Sequence, residues 1–266
     1  MRFSWRVRWR AMGRMGAAAI LSLGLALGGL AAPARAQEQS LPGGFSADQT
    51  KGIERIVREY LLANPEVLIE ALREYQQRQK LAAEQSSEQV ISQRHGELTQ
   101  DPATPVIGNP DGDVVVVEFF DYRCPYCKAV APMIKEEVAS DGNVRLVMKE
   151  IPILGPKSVQ AARAALAAAK QGKYDAFHFA LMTRPGDMSD AHIDTVAGLV
   201  GLDIPRLRRD MESQEIEDAL SRNLALAEAI GIRGTPAFII GKTLVPGAID
   251  AETFRQLIAE TREQSS

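Results

Sequence analysis

Apolar residues recur at three- and four-residue spacing from about residue 46 onward, which predicts an amphipathic helix. Asn64 and Pro65 interrupt this pattern, and they are suited to cap and to begin a second helix. The second helix continues into a polar, Gln- and Glu-rich stretch at 76–97. Two such helices cannot build a core alone, so their apolar faces must pack on the main domain or on another copy of the chain. The residues that define the two faces are Ile53, Ile56, Val57, Tyr60 and Leu61, then Val67, Leu68, Leu72 and Tyr75.

The pattern changes after two clusters of Pro, Gly, Asn and Asp at 101–112, which predict a domain boundary. The continuous apolar run DVVVVEFFDY at 113–122 is typical of a buried strand and leads directly into a helix. A second strand is predicted at 143–151, a helical block at 157–230, a hairpin at 237–245 and a last helix at 251–263. This order predicts an α/β domain over 105–263 with an inserted helical subdomain, preceded by a helical extension over 37–100.

Residues 1–36 have the pattern of a secretory signal peptide. Five arginines precede a 16-residue apolar run at 17–32, and Ala34-Arg35-Ala36 fits a cleavage site. The run is shorter than the roughly 20 residues that a spanning helix needs, so cleavage is favoured over an uncleaved membrane anchor. The sequence therefore predicts an exported protein, with the periplasm as its compartment.

The charge of the predicted mature chain argues against nucleic acid as a partner. Residues 1–36 contain six arginines and no acidic residue, so the remainder has 25 basic and 34 acidic residues and a formal net charge of −9. A nucleic-acid-binding protein would carry a basic surface instead.

The chain has two cysteines, Cys124 and Cys127, and they are separated by two residues. A bond between them closes too small a loop to stabilise a secreted domain. A chemically reactive role therefore explains the pair better than a structural disulfide does. Zinc would need two further ligands, and the histidines (His95, His178 and His192) lie in no ligand spacing. We therefore expect no metal site and no cofactor other than a redox-active Cys124–Cys127 disulfide, although a passive disulfide and a metal site remain alternatives.

The position of the cysteines at a strand-to-helix junction predicts different roles for them. Cys124 lies at the helix N-terminus, where unpaired N–H groups and the helix dipole favour an anion. The thiolate is the species that attacks a disulfide, so Cys124 is the predicted attacking sulfur. Cys127 lies one helical turn inward and resolves the mixed disulfide. Pro125 fits the first helical turn because its missing N–H costs nothing there.

The segments VVEFFDYRCPYC and GTPAFIIG, with the helical insert, resemble the DsbA family of thioredoxin-fold disulfide oxidoreductases over about residues 105–262. The resemblance implies a cis Thr235–Pro236 bond that faces the sulfurs and, with Pro125 and Tyr126, contacts substrate. It also implies that Glu118 is a buried acid that accepts the proton of Cys127. The alternatives are a trans proline at a strand start and a solvated or ion-paired Glu118, with Lys149 as its partner.

Tyr126 is a departure from the best-known family members, which have histidine between the cysteines. Tyrosine cannot add positive charge beside the thiolate, and this makes the disulfide less oxidising. The segment IVREYLLANPEVLIEALREYQQRQ also resembles the N-terminal region of copper-sensitivity-suppressor C proteins. Some of these relatives form oligomers, trimers included, through this region and act as disulfide isomerases.

These resemblances imply a periplasmic thiol–disulfide oxidoreductase, with isomerase activity favoured over oxidase activity. Its partners would be cysteine-containing exported proteins, a membrane-bound thiol reductase or oxidase, and further copies of the chain. The N-terminal helices are predicted to form the homo-oligomer. A chaperone-like protein and a copper-binding protein that uses the two thiolates remain alternatives.

Overall fold

The computed structural model describes residues 44–264 and divides the chain into two compact units, Met1–Asn64 and Pro65–Ser266. The predicted signal peptide at 1–36 lies outside the described residues. The dividing point also differs from the predicted end of the extension near residue 100, because the second unit already begins at Pro65.

The described part of the first unit is helix α1, Ala47–Ala63. It begins with a capping box, in which the Ser46 hydroxyl accepts from the Gln49 N–H and the Gln49 side chain accepts from the Ser46 N–H. It ends at Asn64, whose side-chain amide donates to the Tyr60 carbonyl at 2.8 Å. The prediction that Asn64 caps the second helix was wrong, because this side chain binds the carbonyl end of the first one. No residue of α1 is buried.

A five-stranded sheet organises the second unit, in the order β1-β3-β2-β4-β5. Strands β2 and β3 are parallel, and the other pairs are antiparallel. The β4–β5 hairpin occupies the predicted position, whereas the short edge strand β1 was not predicted. The strands are β1 Val106–Gly108, β2 Val114–Phe120, β3 Val144–Glu150, β4 Ala237–Ile240 and β5 Thr243–Pro246.

The helices of this unit follow the predicted order. Pro125 occupies the first turn of α4, and Gly142 ends this helix in a left-handed conformation with φ of 70°. The helical insert consists of α5–α9, and α10 closes the domain. The bounds are α4 Pro125–Asp141, α5 Pro156–Ala169, α6 Tyr174–Thr183, α7 Asp190–Leu199, α8 Ile204–Met211, α9 Gln214–Ile230 and α10 Ala251–Gln264.

The two faces of the sheet are covered by different elements. The larger core contains the even-numbered residues of β2, such as Val116 and Phe120, together with residues of α4, α10 and the insert. The other face packs against α2 (Glu66–Gln93), α3 (His95–Thr99) and part of α9. Ile91 of α2 is buried there, and the Ser87 hydroxyl donates to the Ile230 carbonyl at 2.8 Å. The C-terminal part of α2 therefore belongs to the folded domain.

Candidate functional site

The two cysteines lie at the start of α4, immediately after the loop that leaves β2. Cys124 is the N-cap residue of the helix, and its N–H donates to the Asp121 carbonyl at 3.0 Å. Cys127 is completely buried, whereas 4% of Cys124 is exposed. Both are free thiols. Cys124 is therefore the outer sulfur of the pair, in the position that favours an anion.

The structure brings the Thr235–Pro236 segment next to Cys124, although 111 positions separate Thr235 from Cys124 along the chain. The Thr235–Pro236 peptide bond is cis, as the resemblance implied. The Cys124 thiol donates to the Thr235 carbonyl oxygen at 3.1 Å. Pro236 is buried immediately before β4, and Thr235 is partly exposed. The backbone of Thr235 thus borders the outer sulfur.

Glu118 lies in the middle of the sheet, on the face that carries α4. Its register partners are Met148 in β3 and Phe238 in β4, and both belong to the same core cluster as Cys127. Only 3% of Glu118 is exposed. Lys149 is on the opposite face, where its Nζ donates to the Glu97 carbonyl and to the Thr104 hydroxyl. The alternative of a solvated Glu118, or of one paired with Lys149, was wrong.

Burial dominates the electrostatics of this region. Removal from water raises the pKa of Glu118 to about 8, because the ionised carboxylate loses its hydration. Burial also raises the pKa of the Cys127 thiol, and the nearby Glu118 and Cys124 add to the effect. A carboxyl group with a pKa near neutrality close to a thiol of high pKa is a pair suited to proton transfer.

Tyr126 and Pro125 lie on the exposed side of the motif. Tyr126 is 66% exposed, and it extends the surface beside Cys124 rather than the core. Ile153 and Leu154, in the loop between β3 and α5, are also exposed apolar residues.

Asp121 is a site residue that sequence reasoning missed. Its Oδ1 accepts from the Arg123 N–H at 2.7 Å and from the Ser158 hydroxyl at 2.8 Å. Its Oδ2 accepts from the Leu154 N–H at 3.0 Å. Asp121 therefore fixes the loop before Cys124 against the neighbouring loop and the start of α5. An Asp directly after a buried strand is the one local signal that pointed to it.

A buried polar cluster beside the motif was also not predicted. Tyr122 Oη lies 3.0 Å from His178 Nδ1, and the Tyr174 hydroxyl donates to Glu150 Oε1 at 2.5 Å. Tyr174 also stacks on the His178 ring. Burial lowers the pKa of His178 to about 3 and raises that of Glu150 to about 7. The insert is thus joined through α6 to the loop that carries the cysteines.

Residues 44–264 contain neither a metal-binding cluster nor a helix able to span a membrane. Within this range no three His, Cys, Asp or Glu side chains cluster closely enough to hold a metal ion. None of the helices described there combines the length and hydropathy that crossing a bilayer requires.

Comparisons with known proteins give relatives for most of the chain. It is 31% identical over 185 residues to the Na(+)/H(+) antiporter NhaA of Herminiimonas arsenicoxydans, which is 65% of this chain but only 30% of the antiporter. The chain thus spans less than a third of the length of that relative.

Solved structures match over a larger share of their length. A thioredoxin-like oxidoreductase from Silicibacter pomeroyi is 46% identical, with a TM-score of 0.62 over 63% of this chain and 97% of that one. Proteus mirabilis ScsC in a transitional conformation is 32% identical, with a TM-score of 0.63 over 83% of this chain and 100% of that one.

Two family profiles match different parts of the chain. The copper resistance protein ScsC N-terminal domain matches residues 49–82, which cover α1 and the first half of α2. The DSBA-like thioredoxin domain matches residues 115–259, more than half of the chain and all of the site described above. The chain therefore belongs to the family of DSBA-like thioredoxin domains.

Proposed function

We propose that this protein is a thiol–disulfide oxidoreductase of the DsbA and ScsC type that acts on exported proteins. The observation that carries the proposal is the pairing of an outer Cys124 at the helix N-terminus with a fully buried Cys127 on the same core face as Glu118. Attack and resolution require two sulfurs in different environments, and this arrangement supplies them.

The exchange begins when the Cys124 thiolate attacks one sulfur of a client disulfide. A mixed disulfide forms, and the second client sulfur leaves as a thiolate. Glu118, in its ionised form, accepts the proton of Cys127, which then attacks the Cys124 sulfur and releases the client. Two electrons pass to the client, and a Cys124–Cys127 disulfide remains. In isomerisation a client thiol resolves the mixed disulfide instead, so the protein ends in its reduced form.

Contact with the client is assigned to the exposed rim of the site. The backbone of Thr235, with Pro236 behind it, offers hydrogen-bonding groups beside the outer sulfur. Pro125 and Tyr126 supply apolar surface on the other side. The cysteine pair needs no bound cofactor for this reaction.

The proposed direction is isomerisation, and oxidation is the alternative. Tyr126 brings no positive charge to the thiolate, so the reduced form gains less stability than with histidine at this position. Helix α1 also has exposed apolar residues on one stripe, among them Ile53, Ile56 and Tyr60. We propose that this stripe assembles several copies of the chain. A membrane-bound reductase would keep an isomerase reduced, and the segment at 1–36 would direct the chain to the periplasm.

The refolding of a substrate with scrambled disulfides tests the activity. Cys124→Ala should abolish reactivation, whereas Cys127→Ser should still form mixed disulfides but accumulate them. If Cys124→Ala reactivates the substrate as efficiently as the parent does, the proposal is overturned. The redox state of the pair in cells, trapped by alkylation after acid quenching, tests the direction: a mostly reduced pair supports isomerisation and a mostly oxidised pair supports oxidation.

Light scattering tests the assembly. The parent should have the mass of an oligomer, and Ile56→Asp, which places a charge in the apolar stripe of α1, should have the mass of a monomer. Glu59→Gln, on the same helix, is the matched control and should remain oligomeric. A monomeric parent would refute assembly without affecting the exchange chemistry.

A further inference from the structure

Several of the exposed large apolar residues of the thioredoxin domain lie close to the cysteine motif or in a groove near it. Between residues 105 and 264 the exposed large apolar residues are Tyr126, Ile153, Leu154, Leu199 and Leu224. Tyr126 belongs to the motif, and the Leu154 N–H is hydrogen bonded to Asp121 beside it. Ile153 and Leu224 line the groove described next. Tyr126, Leu154 and its neighbour Ile153 thus adjoin the site, and Leu224 shares a groove with Ile153; contiguous exposed apolar surface of this kind is the pattern of a polypeptide-binding surface.

A groove of about 600 Å³ continues from this surface along the second half of α9. Its walls include Ile151, Ile153, Leu224, Glu228, Ile232 and Arg233. Arg233 is two residues before Thr235, whose carbonyl lies 3.1 Å from the Cys124 sulfur. An extended chain advances roughly 3.3 Å per residue, so a client segment that passes Thr235 in an extended conformation can continue toward Arg233 and this groove.

The groove carries two opposite charges in a fixed order. Arg233 is two positions before Thr235, which borders the sulfur, and Glu228 is five positions before Arg233, on α9. In the described part of the chain, neither side chain has an ion pair or a side-chain hydrogen bond. Both are exposed, so both are available to a ligand. Arg123, also exposed, adds a second cation near the sulfur, where its guanidinium donates to the Leu154 carbonyl.

We propose that this groove binds the client segment that flanks the reacting cysteine, and that it selects an acidic residue near the cysteine and a basic residue farther away. The acidic residue meets Arg233 and the basic residue meets Glu228, while apolar side chains between them cover Ile153 and Leu224. This inference rests on the proposed exchange function and names the class of client: an extended polypeptide with this order of charges.

Two peptides of identical composition provide the test. Each contains one cysteine blocked as a mixed disulfide with thionitrobenzoate. In one peptide an Asp is near the cysteine and a Lys is farther from it, and in the other peptide these two residues are exchanged. The reduced protein attacks the peptide disulfide, and the release of thionitrobenzoate is followed by absorbance. The peptide with Asp near the cysteine should react about threefold faster at low salt, a modest preference because exposed ion pairs are weak. The preference should disappear at about 0.5 M salt, where the screening length falls to a few ångströms.

The double variant Arg233→Glu/Glu228→Arg should reverse the preference. Arg209→Glu, an exposed arginine of α8 outside the groove, is the matched control and should keep it. Leu224→Ser should slow both peptides equally and leave the reaction with a small aromatic disulfide unchanged. Equal rates for the two peptides in the parent, or an unchanged preference in the double variant, overturn the inference. A parent that reacts with neither the peptides nor the small disulfide refutes the exchange function itself, so the two failures are distinguishable.

Discussion

Glu118→Gln should make the folded protein more stable, and the gain should increase with pH. The folded state holds the pKa of Glu118 at about 8, above the ordinary value of 4.5. Because the unfolded chain releases this proton first, the stability of the parent falls as the pH rises from about 4.5 and levels off above 8. Glutamine does not ionise, so the stability of the variant does not fall with pH in this way.

The magnitude follows from the difference between the two pKa values. Each pKa unit corresponds to about 1.4 kcal/mol, so the 3.5-unit rise from 4.5 to about 8 amounts to about 5 kcal/mol at full ionisation. At pH 5 the cost is about 1 kcal/mol, because the unfolded carboxyl is only partly ionised there. The advantage of Glu118→Gln should therefore grow by about 4 kcal/mol between pH 5 and pH 9. This is a large part of the stability of an ordinary domain.

Urea denaturation of the reduced protein at a series of pH values measures this difference. Both proteins keep the same cysteines, so the titration of Cys127 largely cancels in the comparison. Glu136→Gln, an exposed glutamate on α4, is the control, and its curve should follow that of the parent. If the curves of Glu118→Gln and the parent stay parallel from pH 5 to pH 9, Glu118 does not carry a strongly raised pKa and the reasoning fails.

Further changes test other parts of the site and the domain. Glu118→Gln should slow the attack of Cys127 on a preformed mixed disulfide by about a hundredfold or more and remove the rise in rate near pH 8, as stopped-flow kinetics will show. The depressed pKa of His178 should cost the parent about 2.5 kcal/mol of stability between pH 7 and pH 4.5, since the unfolded histidine gains a proton first; the stability of His178→Gln should not fall in this way during acid denaturation. Asp121→Ala should lower the free energy of unfolding by about 3 kcal/mol, because its three hydrogen-bond donors lose a buried acceptor. Ile91→Ala should lower it by about 2–5 kcal/mol, and an effect near zero would show that α2 is not docked.

Features with a local cause were predictable from the sequence. The run of β-branched residues before Cys124 forms β2, and Pro125 begins α4, because strand propensity and helix capping depend on adjacent residues. The cis Thr235–Pro236 bond followed from resemblance alone, since neither composition nor periodicity distinguishes it from a trans bond. Strand β1 was missed because its three residues lie within a cluster of turn formers and pair only on one side.

Features that depend on long-range contact were not predictable. Tyr122 and His178 are 56 positions apart, and Tyr174 and Glu150 are 24 apart, so no periodic pattern joins them. Lys149 provides a similar example. Whether its side chain lies near Glu118 or near Asp101 depends on which face of the sheet it occupies, and the sequence alone does not show this. The polar residues that the main core buries can thus be assigned only when the packing of the insert is known.

The position of α2 determines how the role of the N-terminal helices can be tested. A truncation at residue 97, the limit suggested by composition, removes Ile91 and leaves Leu98 without its neighbour on the sheet face opposite the cysteines. Each buried aliphatic side chain contributes about 1.5–3 kcal/mol, so this cut could remove enough stability to unfold the domain. Loss of activity would then report unfolding and not loss of assembly. A truncation that ends at Asn64 keeps α2 and the complete second unit, so a change in isomerase activity after that cut can be attributed to α1.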